Sequence, residues 1–175
     1  MKTIVISLLI VLSSSKVPQK TVQPTTVDQD RQQKITQPKN TTAMEKQAME
    51  VVSTFLTAIQ QGNHDVLALS LHPDVTWNQP GKNRFAGQKT SRADVFKLVG
   101  GMVEASEKSL RLTDVKTLAV NGNQVACLLH WKAMQSNGGI LDVDNIDVYT
   151  VKNGQIVNAT IFSADLEQED NFWLN

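Results

Sequence analysis

The sequence predicts an α+β domain, and three observations predict it. Stretches of helical periodicity come first and stretches of strand character come last. The strand region is punctuated by Asn121-Gly122, Gly138-Gly139 and Asn153-Gly154, the dipeptides of tight hairpins. Apolar residues make up 41% of the chain, which is ordinary for a packed globular protein and excludes disorder of the whole. Helices followed by a meander of strands place the helices on one face of the sheet. The expected architecture is therefore three N-terminal helices packed on a curved, mostly antiparallel sheet.

The domain does not start at Met1. Lys2 precedes the apolar run Thr3 to Leu12 and then Ser13-Ser14-Ser15, the charged, hydrophobic and small-residue order of a secretory signal peptide. Residues 1–15 are read as that peptide and the protein as secreted or periplasmic. The competing reading is a membrane anchor, but the run is about half of the roughly 20 apolar residues that a spanning helix needs, so no stable membrane insertion is expected. Residues 16–41 hold Gln, Thr, Lys and Pro with almost no apolar content and read as a disordered linker. Residues 42–175 remain as the domain. They carry eleven Lys/Arg against fifteen Asp/Glu, and this mildly acidic balance argues against a nucleic-acid partner, which needs a clustered basic face. Cys127 is the only cysteine and reads as a small buried apolar residue.

Thr42 and Glu45 form a capping box ahead of a helix whose apolar stripe is Ala48, Val51, Val52, Phe55, Leu56 and Ile59. Gly62 ends it, and Asn63 caps a short second helix carrying Val66, Leu67, Leu69 and Leu71, which Pro73 stops. Val75-Thr76-Trp77 is a strand closed by Pro80-Gly81. Ser91 caps a third helix with Val95, Phe96, Leu98, Val99, Met102 and Val103. Gly100-Gly101 weakens it by about 1 kcal/mol each relative to Ala, and close approach of another element is a reason for their presence. Four strands follow, Leu110 to Val120, Gln124 to Met134, Ile140 to Val151 and Gln155 to Phe162, and Glu167 to Trp173 is read as a short closing helix.

The stretches GNHDVLALSLHPDVTWNQPG, FAG at 85–87 and DVYTVKNGQIV at 147–157 resemble the SnoaL-like branch of the NTF2-like superfamily over roughly residues 44–165. That resemblance implies a cone with a pocket between sheet and helices. It is specific for fold and poor for activity, because the scaffold hosts isomerases, cyclases, hydratases, epoxide hydrolases and non-catalytic binders. Laid on the pattern of ketosteroid isomerase, this chain has Gln79 at the base, Phe55 at the tyrosine, and keeps only Asp147. The acid/base place of SnoaL-type polyketide cyclases holds Ala159-Thr160-Ile161. Against limonene epoxide hydrolase, Asn78 matches an Asn but Cys127 to His130 shows no Arg-x-Asp. None of the three chemistries carries over whole.

If Gly138-Gly139 is a two-residue turn, His130 sits across from Asp147, and a row Thr113, His130, Asp147, Thr160 crosses the pocket face. A histidine oriented by a carboxylate is a general base near neutral pH. The plainer reading of the same row is a satisfied polar ladder, and a turn at Asn137-Gly138 would put Leu128 in place of His130. The candidate site is thus His130 and Asp147 for acid/base chemistry, with Phe55, Trp77, Gln79, Tyr149, Asn158, Thr160 and Phe162 lining a pocket for a small apolar ligand; Trp77 reads equally as core. Neither metal nor cofactor is implied: Asp142, Asp144 and Asp147 alternate, yet no second His or Glu cluster accompanies them, and LEQED at 166–170 reads as a solvated helix start. Simple periodicity would bury the face carrying Leu112, Leu129, Trp131, Ile146, Val148 and Ile161, whereas the resemblance turns Asp147 inward. On the latter assignment Leu129, Trp131, Ile146, Val148 and Ile161 form an apolar outer face, and the expected partner for it is a second copy of the chain. A non-catalytic dimeric module is the alternative to a ligand-binding protein or enzyme.

Overall fold

A computed structural model describes residues 42–174; the signal peptide and linker expected from the sequence lie outside them. Thr42 opens helix α1 (Ala43–Gln61) through the capping box: its hydroxyl accepts from the Glu45 amide at 3.2 Å, and the Glu45 carboxylate accepts from the Thr42 amide at 2.7 Å. Gly62 ends the helix in the left-handed region, which costs glycine no Cβ clash. Asn63 caps α2 (His64–Ser70), which ends one residue before its apolar pattern does: Leu71 already belongs to β1 (Leu71–Gln79). Pro73 sits inside that strand where the pairing with its neighbour is interrupted, between Leu71 and Thr76, because proline has no amide to give a ladder. A three-residue strand β2 (Gly87–Lys89) follows, then α3 (Arg92–Ala105), capped by Ser91. Two helices therefore precede the first strand and the third follows β2.

Strands β3 (Arg111–Asn121), β4 (Gln124–Met134), β5 (Ile140–Lys152) and β6 (Gln155–Ser163) form the expected meander, and α4 (Leu166–Trp173) closes the chain. The six strands lie in the order β2-β1-β6-β5-β4-β3, antiparallel except for β1 beside β6. Helix α1 packs across β3 to β6, α3 against β1, and α4 against β5. Ala48, Val52, Phe55 and Leu56 on α1 meet Val125, Cys127, Leu129, Tyr149, Ile156 and Ala159 of the sheet in one core; burying each large apolar side chain contributes about 2 kcal/mol. A second cluster, Ala133, Leu141, Val143, Phe172 and Trp173, lies under α4.

Strand register departs from the expectation at three places, and each has a local cause. The β4–β5 connection spans residues 135–139, five residues rather than two, so Cys127 and not His130 faces Asp147, while His130 faces Asp144. A change of three residues is odd, and an odd change turns every side chain of the strand over. The β5–β6 turn forms as expected, with Asn153 and Gly154 both at positive φ, but a bulge follows at once: Val151 pairs with Ile156, whereas Thr150 pairs with Asn158. Beyond it Asp147 faces Ile161 and Tyr149 faces Ala159. On β3, irregularities on either side of Val115 to Thr117 leave Asp114, not Thr113, opposite His130.

These changes correct the assignment of faces. Asp147, Tyr149 and Val151 point inward as the family pattern implied, and Leu141, Val143 and Asn145 join them in strict alternation. Leu112, Leu129 and Ile161, expected outside, are buried, and Trp131 packs against both core clusters. Asn158, Thr160 and Phe162, expected to line the pocket, lie on the outer face, where Phe162 is 56% exposed.

Candidate functional site

Strand β5 carries two polar side chains into an otherwise apolar interior. Alternation that buries Val143 and Tyr149 also buries Asn145 and Asp147, at 6% and 3% exposure. Tyr149 is wholly buried and its hydroxyl donates to Asp147 Oδ2 at 2.7 Å. Phe55 from α1, Trp77 from β1 and Tyr149 form a triangle of rings with centroids 5.8 to 6.3 Å apart, within the range where tilted and edge-on aromatic contacts are favourable. The Trp77 indole donates to Gln79 Oε1 at 3.2 Å. Phe55, Trp77, Tyr149 and Asp147 thus lie together, Gln79 is joined to them through Trp77, and Cys127 is directly across from Asp147.

Burial governs the proton chemistry of this centre. Desolvation pushes the Asp147 carboxyl up to about 7, the Tyr149 hydrogen bond works against that rise, and the charge of Glu169 adds to it. Desolvation also pushes the Cys127 thiol up to about 11 and the Tyr149 phenol well above its ordinary value. A carboxyl poised near neutrality can hold or accept a proton at physiological pH, whereas Cys127 and Tyr149 stay protonated. Asp147 Oδ1 has no hydrogen-bond partner among the described residues.

Glu169 is the residue that the sequence reading passed over. Taken as part of a solvated helix start, it is 3% exposed, and burial raises its pKa. The signal was its spacing: Glu169, Phe172 and Trp173 occupy one stripe of α4, and the two aromatics are equally buried. Helix α4 is fixed by its other face. Asp170 Oδ1 accepts from the Lys82 and Asn83 amides and the Asn83 side chain at 2.8, 3.1 and 2.7 Å, and Gln168 Oε1 accepts from the Asp142 amide at 2.7 Å; on the buried face Phe85 meets Trp173 edge-on at 5.5 Å.

His130 has no part in this centre. On the outer face its Nε2 lies 2.9 Å from Asp142 and its Nδ1 2.6 Å from Asp144, with Lys132 Nζ 3.0 Å from Asp142. Lys132, and secondarily His130, hold the exposed Asp142 carboxyl below its ordinary value. A shallow groove lined by Ser53, Thr57, Gln61 and Val66 runs along the outside of the first two helices and includes none of the candidate residues.

An α+β cone with a carboxyl buried against a tyrosine at its centre has the architecture of NTF2-like proteins and fits a small-molecule-binding or isomerase-like protein. Residues 52–159 match the SnoaL-like domain, and the chain belongs to that family. It is similar to a protein of unknown function with a cystatin-like fold from Xanthomonas campestris, at 33% identity over 73% of this chain and 98% of that one, with a TM-score of 0.70. An NTF2-like protein of unknown function from Burkholderia pseudomallei K96243 shares the fold at 18% identity, over 74% of this chain and 98% of that one, with a TM-score of 0.62. TerC, co-crystallised with polyporic acid, shares it at 15% identity, over 72% and 98% of the two chains, with a TM-score of 0.63. No curated protein matches the chain.

Proposed function

We propose that the protein binds a small, largely apolar molecule inside the cone, holding the polar end of that molecule at Asp147 and using its carboxyl as an acid/base group. One observation carries this reading. A buried carboxyl has one oxygen bonded to Tyr149 and the other without a partner among the described residues. Such an arrangement costs stability, and a purely structural core avoids it. Phe55, Trp77 and Tyr149 pack on one another beside the carboxyl and supply the apolar surroundings. Titration of intrinsic tryptophan fluorescence with neutral bicyclic ring compounds tests the reading: the wild type saturates at micromolar concentrations, and Asp147→Asn or Trp77→Ala weakens binding at least about tenfold. If no compound of this class binds, the reading is rejected.

A second reading is supported by the outer face of the sheet. Leu128, Ile146 and Phe162 lie in one row across β4, β5 and β6, with Ile146 41% and Phe162 56% exposed. A flat apolar row in the middle of a sheet is self-complementary about a two-fold axis, and we place the homodimer contact there, with Phe162 and Ile146 in the role first expected of Trp131. The N-terminal apolar run supports export: the secreted protein is expected to lack about its first fifteen residues by mass spectrometry.

A further inference from the structure

Strand β3 is the long free edge of the sheet; the opposite edge, β2, has only three residues. We propose that β3 pairs antiparallel with β3 of a second copy of the chain, about a two-fold axis through Val115, so that two sheets join edge to edge.

The edge is self-complementary in sequence. Residues 112–118 read LTDVKTL, the same in either direction except that Asp114 and Lys116 exchange places. In an antiparallel pair centred on Val115, each Asp114 therefore faces Lys116 of the other copy, with Cβ atoms about 4.5–5.5 Å apart, and Val115 faces Val115. Moving the axis by one residue sets Asp114 against Asp114 or Lys116 against Lys116, and like charges directly opposite repel. Both side chains are exposed on the outer face, opposite His130 and Leu128, and neither has an ion-pair partner among the described residues.

The backbone is open at the same place. Bulges and charges are the usual means of blunting an edge, and β3 has both. Its bulges fall at Thr113 and Leu118, however, and leave Asp114 to Thr117 in straight register with β4. A charge placed only to repel other chains needs no complement two residues away on the same face. Within the straight stretch the Val115 amide donates to Asp114 Oδ1 at 2.9 Å, a side-chain acceptor that takes the place of a neighbouring strand's carbonyl. Nearer the start of β3 the Leu112 carbonyl already accepts from Gln60 Nε2 at 3.3 Å, so the contact lies beyond it. Pairing exchanges partners at the centre: Asp114 leaves the amide for Lys116 of the second copy, and the amide turns to the second copy's Val115 carbonyl. The straight stretch is four residues long and its ion pairs face water, so the contact is weak and salt-sensitive. At the micromolar concentrations that read the outer-face contact it is open.

The test uses the mature protein carrying Phe162→Glu, which silences the outer-face contact, at about 1 mM and low ionic strength. NMR translational diffusion is expected to show association, with concentration-dependent amide shifts centred on residues 113–117. Asp114→Lys and Lys116→Asp, each added singly to that protein, are expected to weaken association at least about fivefold, because each sets like charges opposite one another in the paired edge. An equimolar mixture of the two is expected to associate as well as the parent, since every pair across the joint is then again of opposite sign. Recovery in the mixture also shows that both variants are folded. A parent that is monomeric at that concentration, shifts confined to other residues, single variants that associate as well as the parent, or a mixture that stays monomeric each overturns the edge pairing.

Discussion

Asp147 is held in a setting that works against its own charge. Its folded value of about 7 stands above the ordinary 3.8, so the native state keeps a proton that the unfolded chain has already released. Stability contributed by the protonated form is complete below about pH 4, declines as pH rises toward 7, and is gone above that. Three pH units at 1.36 kcal/mol each make the difference on the order of 4 kcal/mol. Asp147→Asn keeps the shape and removes the titration. Thermal unfolding is therefore expected to show wild type and variant close together at pH 4, and the variant the more stable by a few kcal/mol at pH 8, with ligand binding weakened at least about tenfold. A variant equally destabilised at both values would mean that the carboxyl is an ordinary structural partner of Tyr149.

Among the elements, α4 closes the second core cluster. It is eight residues long, too short to be stable alone, and it stays in place through contacts made by its two faces. The aromatic face packs against Ala133, Leu141 and Val143, and the polar face is tied to the loop after β1 by Asp170. Gly81 makes that tie possible: its φ is +96°, and a Cβ there would lie 2.3 Å from Asp170 Oδ1. Gly81→Ala and Asp170→Ala are both expected to destabilise the protein by about 1–3 kcal/mol. Both are also expected to speed amide hydrogen exchange selectively across residues 166–173. Exchange that rises uniformly over the sheet would show that α4 is an integral part of the core rather than a separately opening cover. Gly101 plays a comparable part on α3, where a Cβ would come within 2.8 Å of the Phe85 ring; its neighbour Gly100 has no such contact.

For the molecule as a whole, the two faces of the sheet divide the work. The inner face holds the core and the buried acids; the outer face combines the apolar row Leu128, Ile146, Phe162 with the His130, Asp142 and Asp144 cluster. If two copies meet through that row, Phe162→Glu is expected to convert a dimer into a monomer by light scattering and to leave the Asp147 titration unchanged, because the substitution lies on the outer face and does not touch the core. A wild-type protein that is monomeric at high micromolar concentration would remove the dimer and leave the interior reading untouched.

Local chemistry was legible in the sequence. The capping box at Thr42 and Glu45, the caps at Asn63 and Ser91, the stop at Gly62 and the turn at Asn153-Gly154 all depend on residues within four positions of one another, and each forms as its residue types require. The inward turn of Asp147 and Tyr149 was legible only through the resemblance, since periodicity alone favours burying the more apolar set. Tertiary structure decided what lies opposite them. A five-residue loop where two residues were expected carried His130 to the outer face, and a single bulge after the last turn carried Phe162 out and Ile161 in. Side chains alternate with a period of two, so an insertion of one residue anywhere between two strands reverses a whole face, and no local signal in the strand records it. Glu169 was hidden for a related reason: whether a carboxylate on a short helix meets water or the interior depends on which way the helix is docked, and Asp170, Gly81 and Asn83, distant in sequence, fix that direction.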